Sequence, residues 1–124
     1  LYKNGAKIIA GTDAWAPFVV PGFSLHDELE LMVSAGLTPF EVLRTATYNA
    51  AEFLDTLSRS GTVEEGRDAD LVLLSENPLE NIKNTRKIDA VILKGRYFSR
   101  DELDKMLVNV AAIYEKSEGT GIAP

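Results

Sequence analysis

The sequence contains no cysteine and a single histidine, His26, among its 124 residues. The missing thiols exclude disulfides, thiolate metal ligands and cysteine nucleophiles within this chain. Basic residues are also scarce: 13 Lys and Arg face 19 Asp and Glu, which gives a net charge of -6. Because phosphates and anionic lipid headgroups are recognised by clustered positive charge, neither nucleic acid nor a membrane surface is an expected partner.

Long apolar runs are missing as well. The run VAAIY at residues 110–114 is far shorter than the roughly 20 residues of a membrane-spanning helix. No secretory signal pattern is visible near the start, so we expect a cytoplasmic location. The apolar fraction of 45% is that of an ordinary globular chain. The first residue is Leu1 rather than Met, and we therefore expect the chain to be part of a longer protein.

The first half of the chain is predicted to be helical after one strand. Residues 7–10 form a short apolar run, which is typical of a buried parallel strand. Ser24 is the predicted N-cap of a first helix that ends at Gly36. Residues 38–41, TPFE, predict a second helix that starts with a capping box and has proline at its first position. Residues 47–57 predict a third, short helix.

From about Ser60 onward the sequence pattern changes from helical spacing to short β-rich runs. Residues 61–75, GTVEEGRDADLVLLS, predict two short strands around a glycine turn, and a strand or hairpin bent at Gly95 follows. We expect residues 69–74 and 90–94 to pair in one sheet.

A final helix is predicted to follow the strands. Ser99 and Glu102 form its capping box, its apolar residues at helical spacing run from Leu103 to Tyr114, and we expect it to span residues 100–116. This order of elements does not resemble a self-contained small fold, because the parallel strand at residues 7–10 has no neighbour connected to it by a crossover.

Four stretches of the sequence carry a family resemblance. AGTDA, HDELELMVSAGLTPFEVLRTATYNAAEFL, GTVEEGRDADLVLLSENPLENI and VILKGRYF, in this order and spacing, resemble the C-terminal part of a metal-dependent amidohydrolase. The most similar group is the imidazolonepropionase-like branch, which includes enzymes that cleave Xaa-Pro dipeptides. The resemblance covers roughly residues 1–98.

The resemblance implies an α/β fold for the parent protein: a (β/α)8 barrel with a small β-sandwich. This chain is then a C-terminal fragment. Its expected parts are the last barrel strand with the following helices (1–59), strands of the composite β-sandwich (60–98), a C-terminal helix (99–116) and a mobile tail (117–124).

The resemblance also implies hydrolysis of a C–N bond, in a dipeptide or a cyclic amide, with a divalent metal that is expected to be zinc. Asp13 matches the Asp that ends the eighth strand, which in the family is both a metal ligand and the catalytic proton carrier. Trp15 and Phe18 either line a substrate pocket or pack their loop on the barrel rim. His26 either contacts substrate or is a first-turn helix residue that faces solvent or a neighbouring loop.

The remaining carboxylates are expected to be structural. Asp68 and Asp70 enter a strand from a turn, and residues 27–30 form the solvated acidic face of a helix. A catalytic zinc site needs about three protein ligands, and one Asp with at most one His cannot supply them. The isolated chain should therefore hold no metal and be inactive.

Two partners would complete the fold: the remainder of the barrel or another copy of the chain. An alternative interpretation is a noncatalytic structural or interaction module derived from the amidohydrolase fold, in which Asp13 is a relic.

Overall fold

The computed structural model describes residues 5–13, 17 and 19–119, with the backbone alone for residues 114–119. Three helices come first, three strands follow with a 3₁₀ helix between the first two, and a long helix comes last. The elements are helices α1 (Ser24–Ser34), α2 (Pro39–Ala46) and α3 (Tyr48–Phe53), strand β1 (Leu71–Leu74), a 3₁₀ helix (Ile82–Arg86), strands β2 (Ile88–Leu93) and β3 (Arg96–Ser99), and helix α4 (Arg100–Gly119).

Both predicted capping boxes are confirmed. The Glu41 N–H donates to the Thr38 hydroxyl at 3.3 Å, and the Thr38 N–H donates to the Glu41 carboxylate at 2.7 Å. The Ser99 N–H donates to Glu102 at 2.8 Å, and the Glu102 N–H donates to the Ser99 hydroxyl at 3.4 Å. Each pair satisfies two N–H groups that would otherwise lack a partner at the start of α2 and α4.

The prediction that Ser24 caps α1 is wrong. The helix begins at Ser24 itself, and the preceding Phe23 makes no side-chain capping bond. The Ser24 hydroxyl instead accepts the Val20 N–H at 2.8 Å, which closes the turn ahead of the helix. The predicted end is confirmed, because Gly36 has φ +101° and its N–H donates to the Val33 carbonyl at 2.9 Å.

The sheet is antiparallel with the order β1-β2-β3. Leu73 lies opposite Ala90, so the predicted pairing of the two main strand segments is confirmed. The β2–β3 hairpin turns at Lys94 and Gly95, whose φ angles are +51° and +76°. Positive φ at both central residues matches the right-handed twist of the two strands.

Two strand predictions are wrong. Residues 61–75 contain one strand, β1, rather than two, because the stretch before it finds no partner strand among the described residues. Residues 7–10 are not a strand either, since the parallel neighbours with which they would pair are absent from the described part of the chain. Helix α4 also differs from expectation: it continues to Gly119, so residues 117–119 are helical, and residues 120–124 lie outside the described residues.

The apolar core lies where α1, α2 and the 3₁₀ helix meet. It is centred on Leu29, Val42 and Ile82, which are at most 5% exposed. The partly buried residues packed on it are Ala10, Leu25, Met32, Val33, Leu37, Leu43 and Ala46. Leu25, Leu29, Met32 and Val33 of α1 therefore face this core. Phe40 of α2 is 58% exposed.

Among the glycines of residues 5–113, Gly61 is the one at which a methyl group would meet another atom closely. Its φ is +90°, and an added Cβ would lie 2.6 Å from the Ala51 Cβ. We expect Gly61→Ala to destabilise the protein by about 2–4 kcal/mol, since both the backbone strain and the overlap oppose it. Thermal unfolding of the complete protein with and without the substitution measures the loss.

Gly66→Ala is the matched control for this prediction. Gly66 has a similar φ of +85°, but nothing lies within 4 Å of its added Cβ. The difference between the two variants therefore isolates the overlap with Ala51, and equal losses would show that the overlap contributes nothing.

Candidate functional site

Asp13 follows a short segment that is held by the helices. The Ala10 N–H donates to the Thr45 carbonyl in α2 at 3.2 Å. The Asn49 side-chain amide in α3 donates to the Ile8 carbonyl at 2.9 Å. These bonds take the place of the strand ladder that the sequence predicted, and they fix the course of the backbone towards Asp13.

The backbone at Asp13 is in the left-handed region, with φ +47°. Few residues other than glycine adopt this conformation, although Asp tolerates it better than most. The residue is exposed. Such conformations persist where the surrounding structure imposes them, and they are enriched at functional sites. Asp13 therefore combines an accessible carboxylate with a left-handed backbone conformation.

Glu28 of α1 provides a third anchor, which the sequence did not predict. The Gly11 N–H donates to Glu28 Oε1 at 2.9 Å. The other carboxylate oxygen, Oε2, is buried and has no hydrogen-bond partner. The expectation that residues 27–30 are a purely solvated acidic face is wrong. Helical periodicity gives the face on which Glu28 lies, but nothing in the sequence signals a contact with a backbone amide 17 residues earlier.

The two flanking acidic residues also have partners. Arg86, at the end of the 3₁₀ helix, forms ion pairs with both Asp27 and Glu30, and its Nε lies 3.0 Å from Glu30 Oε1. These pairs join α1 to the 3₁₀ helix.

His26 lies at the same junction between α1 and the 3₁₀ helix. Its Nδ1 is 2.9 Å from the Thr85 hydroxyl oxygen. Because that hydroxyl donates its one proton to the Ile82 carbonyl at 2.8 Å, His26 Nδ1 is the donor in their bond. Burial lowers the pKa of His26, the charge of Arg86 lowers it further, and Asp27 and Glu30 oppose the shift. These contacts support a packing role, and contact with substrate stays a prediction.

The lowered pKa of His26 makes stability depend on pH. In the unfolded chain His26 has its ordinary pKa of 6.5, so below that pH the unfolded state binds more protons than the folded state. Stability therefore rises with pH through the window between the lowered pKa and 6.5. We expect His26→Asn to flatten this dependence while keeping a donor for Thr85. Thermal midpoints of the complete protein and its His26→Asn variant between about pH 5 and 8 check this, and parallel curves would contradict it.

The remaining predicted site residues are placed as follows. Asp68 pairs with Arg59 at 2.8 Å, and Asp70 accepts the Lys94 N–H at 2.6 Å. Both contacts are structural, as expected. Trp15 and Phe18 lie outside the described residues, so their predicted contact with substrate stays a prediction.

No group of three or more His, Cys, Asp or Glu side chains that could hold a metal ion occurs within the described residues. The donors present here therefore do not fit a complete metal centre, and Asp13 could supply one ligand to it. Across the described part of the chain, no helix combines the length and apolarity that crossing a membrane requires.

The comparisons with known proteins identify the family. The model of the amidohydrolase family matches residues 1–97, and the chain belongs to this family. Within the family it falls in the branch of imidazolonepropionases and prolidases. The resemblance predicted from the four sequence stretches is thus confirmed.

Two curated relatives show what share of a longer family member this chain corresponds to. Ochratoxinase of Aspergillus niger is 37% identical over 91 residues, which are 72% of this chain and 18% of that protein. Imidazolonepropionase of Treponema denticola is 28% identical over 104 residues, which are 77% of this chain and 24% of that protein. The chain spans about a fifth to a quarter of the length of these relatives.

Solved structures give the same assignment. A Xaa-Pro dipeptidase with bound methionine in its active site superposes with a TM-score of 0.72 at 31% identity, over 79% of this chain and 23% of that one. A candidate prolidase from Bifidobacterium longum superposes with a TM-score of 0.73 at 33% identity, over 87% of this chain and 28% of that one.

Proposed function

We propose that the chain is the C-terminal part of a metal-dependent amidohydrolase that hydrolyses a C–N bond in a dipeptide or a cyclic amide. The observation that carries this proposal is the family match over residues 1–97. The choice of substrate class follows the names of two relatives, a Xaa-Pro dipeptidase and an imidazolonepropionase.

In the proposed architecture, residues 1–59 contain the last strand of a (β/α)8 barrel and its following helices. Residues 60–98 contribute strands to a small β-sandwich, and α4 is the C-terminal helix. Two features support this division. The segment before Asp13 has hydrogen-bonding partners in the helices but no strand ladder, and the sheet leaves large apolar side chains such as Val72 and Tyr97 more than half exposed.

Asp13 has two roles in the proposed reaction. Its carboxylate would supply one ligand to a divalent metal, with zinc the expected ion, and the other ligands would come from the rest of the barrel. The bound metal would polarise the scissile carbonyl and lower the pKa of the attacking water. The Asp13 carboxylate would accept a proton from the attacking water as the water adds to the carbonyl carbon. It would then deliver that proton to the nitrogen, so that the C–N bond breaks and a neutral amine leaves.

The test is hydrolysis by the complete protein. The metal is removed with a chelator, and zinc or manganese is then added back before assay on a panel of Xaa-Pro dipeptides, other dipeptides and cyclic amides. We expect turnover of at least one substrate class, lost on chelation and restored by metal. If a folded, metal-loaded protein turns over no member of the panel, the noncatalytic module is the better interpretation.

A further inference from the structure

We propose that Glu28 is a positioning residue, whose carboxylate holds the Gly11 amide and so fixes the backbone that carries Asp13. The inference rests on the proposed function of Asp13 and adds to it a residue on α1. Its basis is the 2.9 Å bond from the Gly11 N–H to Glu28 Oε1.

The position of this bond along the chain gives it its importance. Of the three anchors, Asn49 holds residue 8, Thr45 holds residue 10 and Glu28 holds residue 11. In the described part of the chain, the bond to Glu28 is the last one before Asp13. The two anchors further back would leave residues 11–13 free to change direction if Glu28 were removed.

Glu28 is itself held rigidly. The next residue, Leu29, is 3% exposed and lies in the apolar core. Asp27 and Glu30 are paired with Arg86. The helix is therefore anchored in the core beside Glu28, which limits the movement of its carboxylate.

The use of a carboxylate here is not explained by stability. Oε2 of Glu28 is buried without a partner, and a buried, unpaired acceptor costs free energy. A neutral glutamine would offer the same oxygen to the Gly11 N–H. A charged acceptor makes the shorter and stronger bond to an amide, which suits a residue that must hold a backbone in one place.

Displacement of a catalytic group by about 1 Å can lower the rate about 10²-fold, and loss of a residue that orients a metal ligand typically costs about 10- to 100-fold. We therefore expect Glu28→Ala to lower kcat of the complete, metal-loaded protein about 10- to 100-fold, with a much smaller change in KM. Glu28→Gln should retain most of the activity, because it keeps an acceptor for the Gly11 amide. Glu28→Asp should lose activity, because it keeps the charge but is one methylene shorter.

Hydrogen exchange provides a readout that does not depend on activity. A peptide spanning residues 8–13 should exchange faster in Glu28→Ala and Glu28→Asp than in the wild type and Glu28→Gln. Peptides from α2 should be unchanged, which shows that the protein has folded. Asp68→Asn is the control: it removes a carboxylate whose partner is Arg59 rather than Gly11, and kcat should stay near the wild-type value.

Each outcome decides a different point. Faster exchange with unchanged kcat in Glu28→Ala would overturn the positioning role while leaving the proposed function in place. Equal loss of kcat in Glu28→Gln and Glu28→Ala, with normal exchange in Glu28→Gln, would overturn it too, because charge rather than position would then matter. If Glu28→Ala does not fold, the other two variants are compared: the proposal requires lower kcat and faster exchange of residues 8–13 in Glu28→Asp than in Glu28→Gln, and equal values would overturn it. A wild type without turnover on any substrate overturns the proposed function, and this inference with it.

Discussion

Asp13→Asn is expected to lower the turnover of the complete protein by about 10²- to 10⁴-fold. An amide cannot accept the proton of the attacking water, and it is a weaker ligand than a carboxylate for a divalent metal. Loss of the metal contact should add to the loss of proton transfer. Stability should change little, because Asn and Asp both tolerate the left-handed backbone conformation that Asp13 adopts.

Asp68→Asn is the control for this experiment. Asp68 pairs with Arg59, and the two side chains are 44% and 74% exposed, so their ion pair contributes little to stability. It should leave turnover nearly unchanged. Steady-state hydrolysis of the dipeptide panel, with metal content measured by mass spectrometry, distinguishes lost chemistry from lost metal. Near-full activity of Asp13→Asn in a working hydrolase would show that Asp13 is only a turn residue.

The chain of residues 1–124, expressed by itself, is expected to associate or to be partly unfolded, and to be inactive. Large apolar side chains are uncovered in the described residues: Phe53 is 76% exposed, Leu31 69% and Val63 81%. Adjacent strand residues Val72 and Leu73 are 56% and 42% exposed, and because neighbours on a strand point to opposite faces, both faces of β1 are uncovered. Contiguous apolar surface and unpaired strand edges drive association.

Helix α4 adds to this surface. Met106, Leu107, Val110 and Ile113 lie at helical spacing and are 43–67% exposed. Light scattering and calorimetry test the expectation, and the rest of the barrel supplied as a second chain should reduce association if it is the missing cover. A monodisperse monomer of the chain that melts cooperatively would contradict it.

The sequence predicted the elements whose signals are local. The capping boxes at Thr38 and Ser99 and the turn at Gly95 depend on residues within one or two turns of each other, and all three are confirmed. The strand prediction for residues 7–10 was wrong, because a strand forms only where a neighbouring strand pairs with it, and the described residues provide none. The N-cap prediction for Ser24 was wrong. Its hydroxyl can accept a hydrogen bond either from the helix that follows or from the turn that precedes it, and the sequence pattern does not distinguish the two.

The candidate site was predicted only in part. Asp13 came from the family resemblance, and its backbone geometry came from the structure. Glu28 and Arg86 were missed because each works through partners far away in the sequence: Glu28 through residue 11, and Arg86 through residues 27 and 30. An acidic run on a helix gives no indication of which of its members meets a backbone amide and which meets a cation.

The anchors of the segment before Asp13 all lie on its C-terminal side, within residues 28–49. Glu28 lies 17 residues after Gly11, and Asn49 lies 41 residues after Ile8. The entropic cost of closing a loop rises only slowly with loop length, so these anchors can form without the rest of a barrel. We therefore expect the setting of Asp13 to assemble from one continuous stretch of chain during folding. Long-range contacts with the rest of a barrel would then complete a geometry that this stretch had already established.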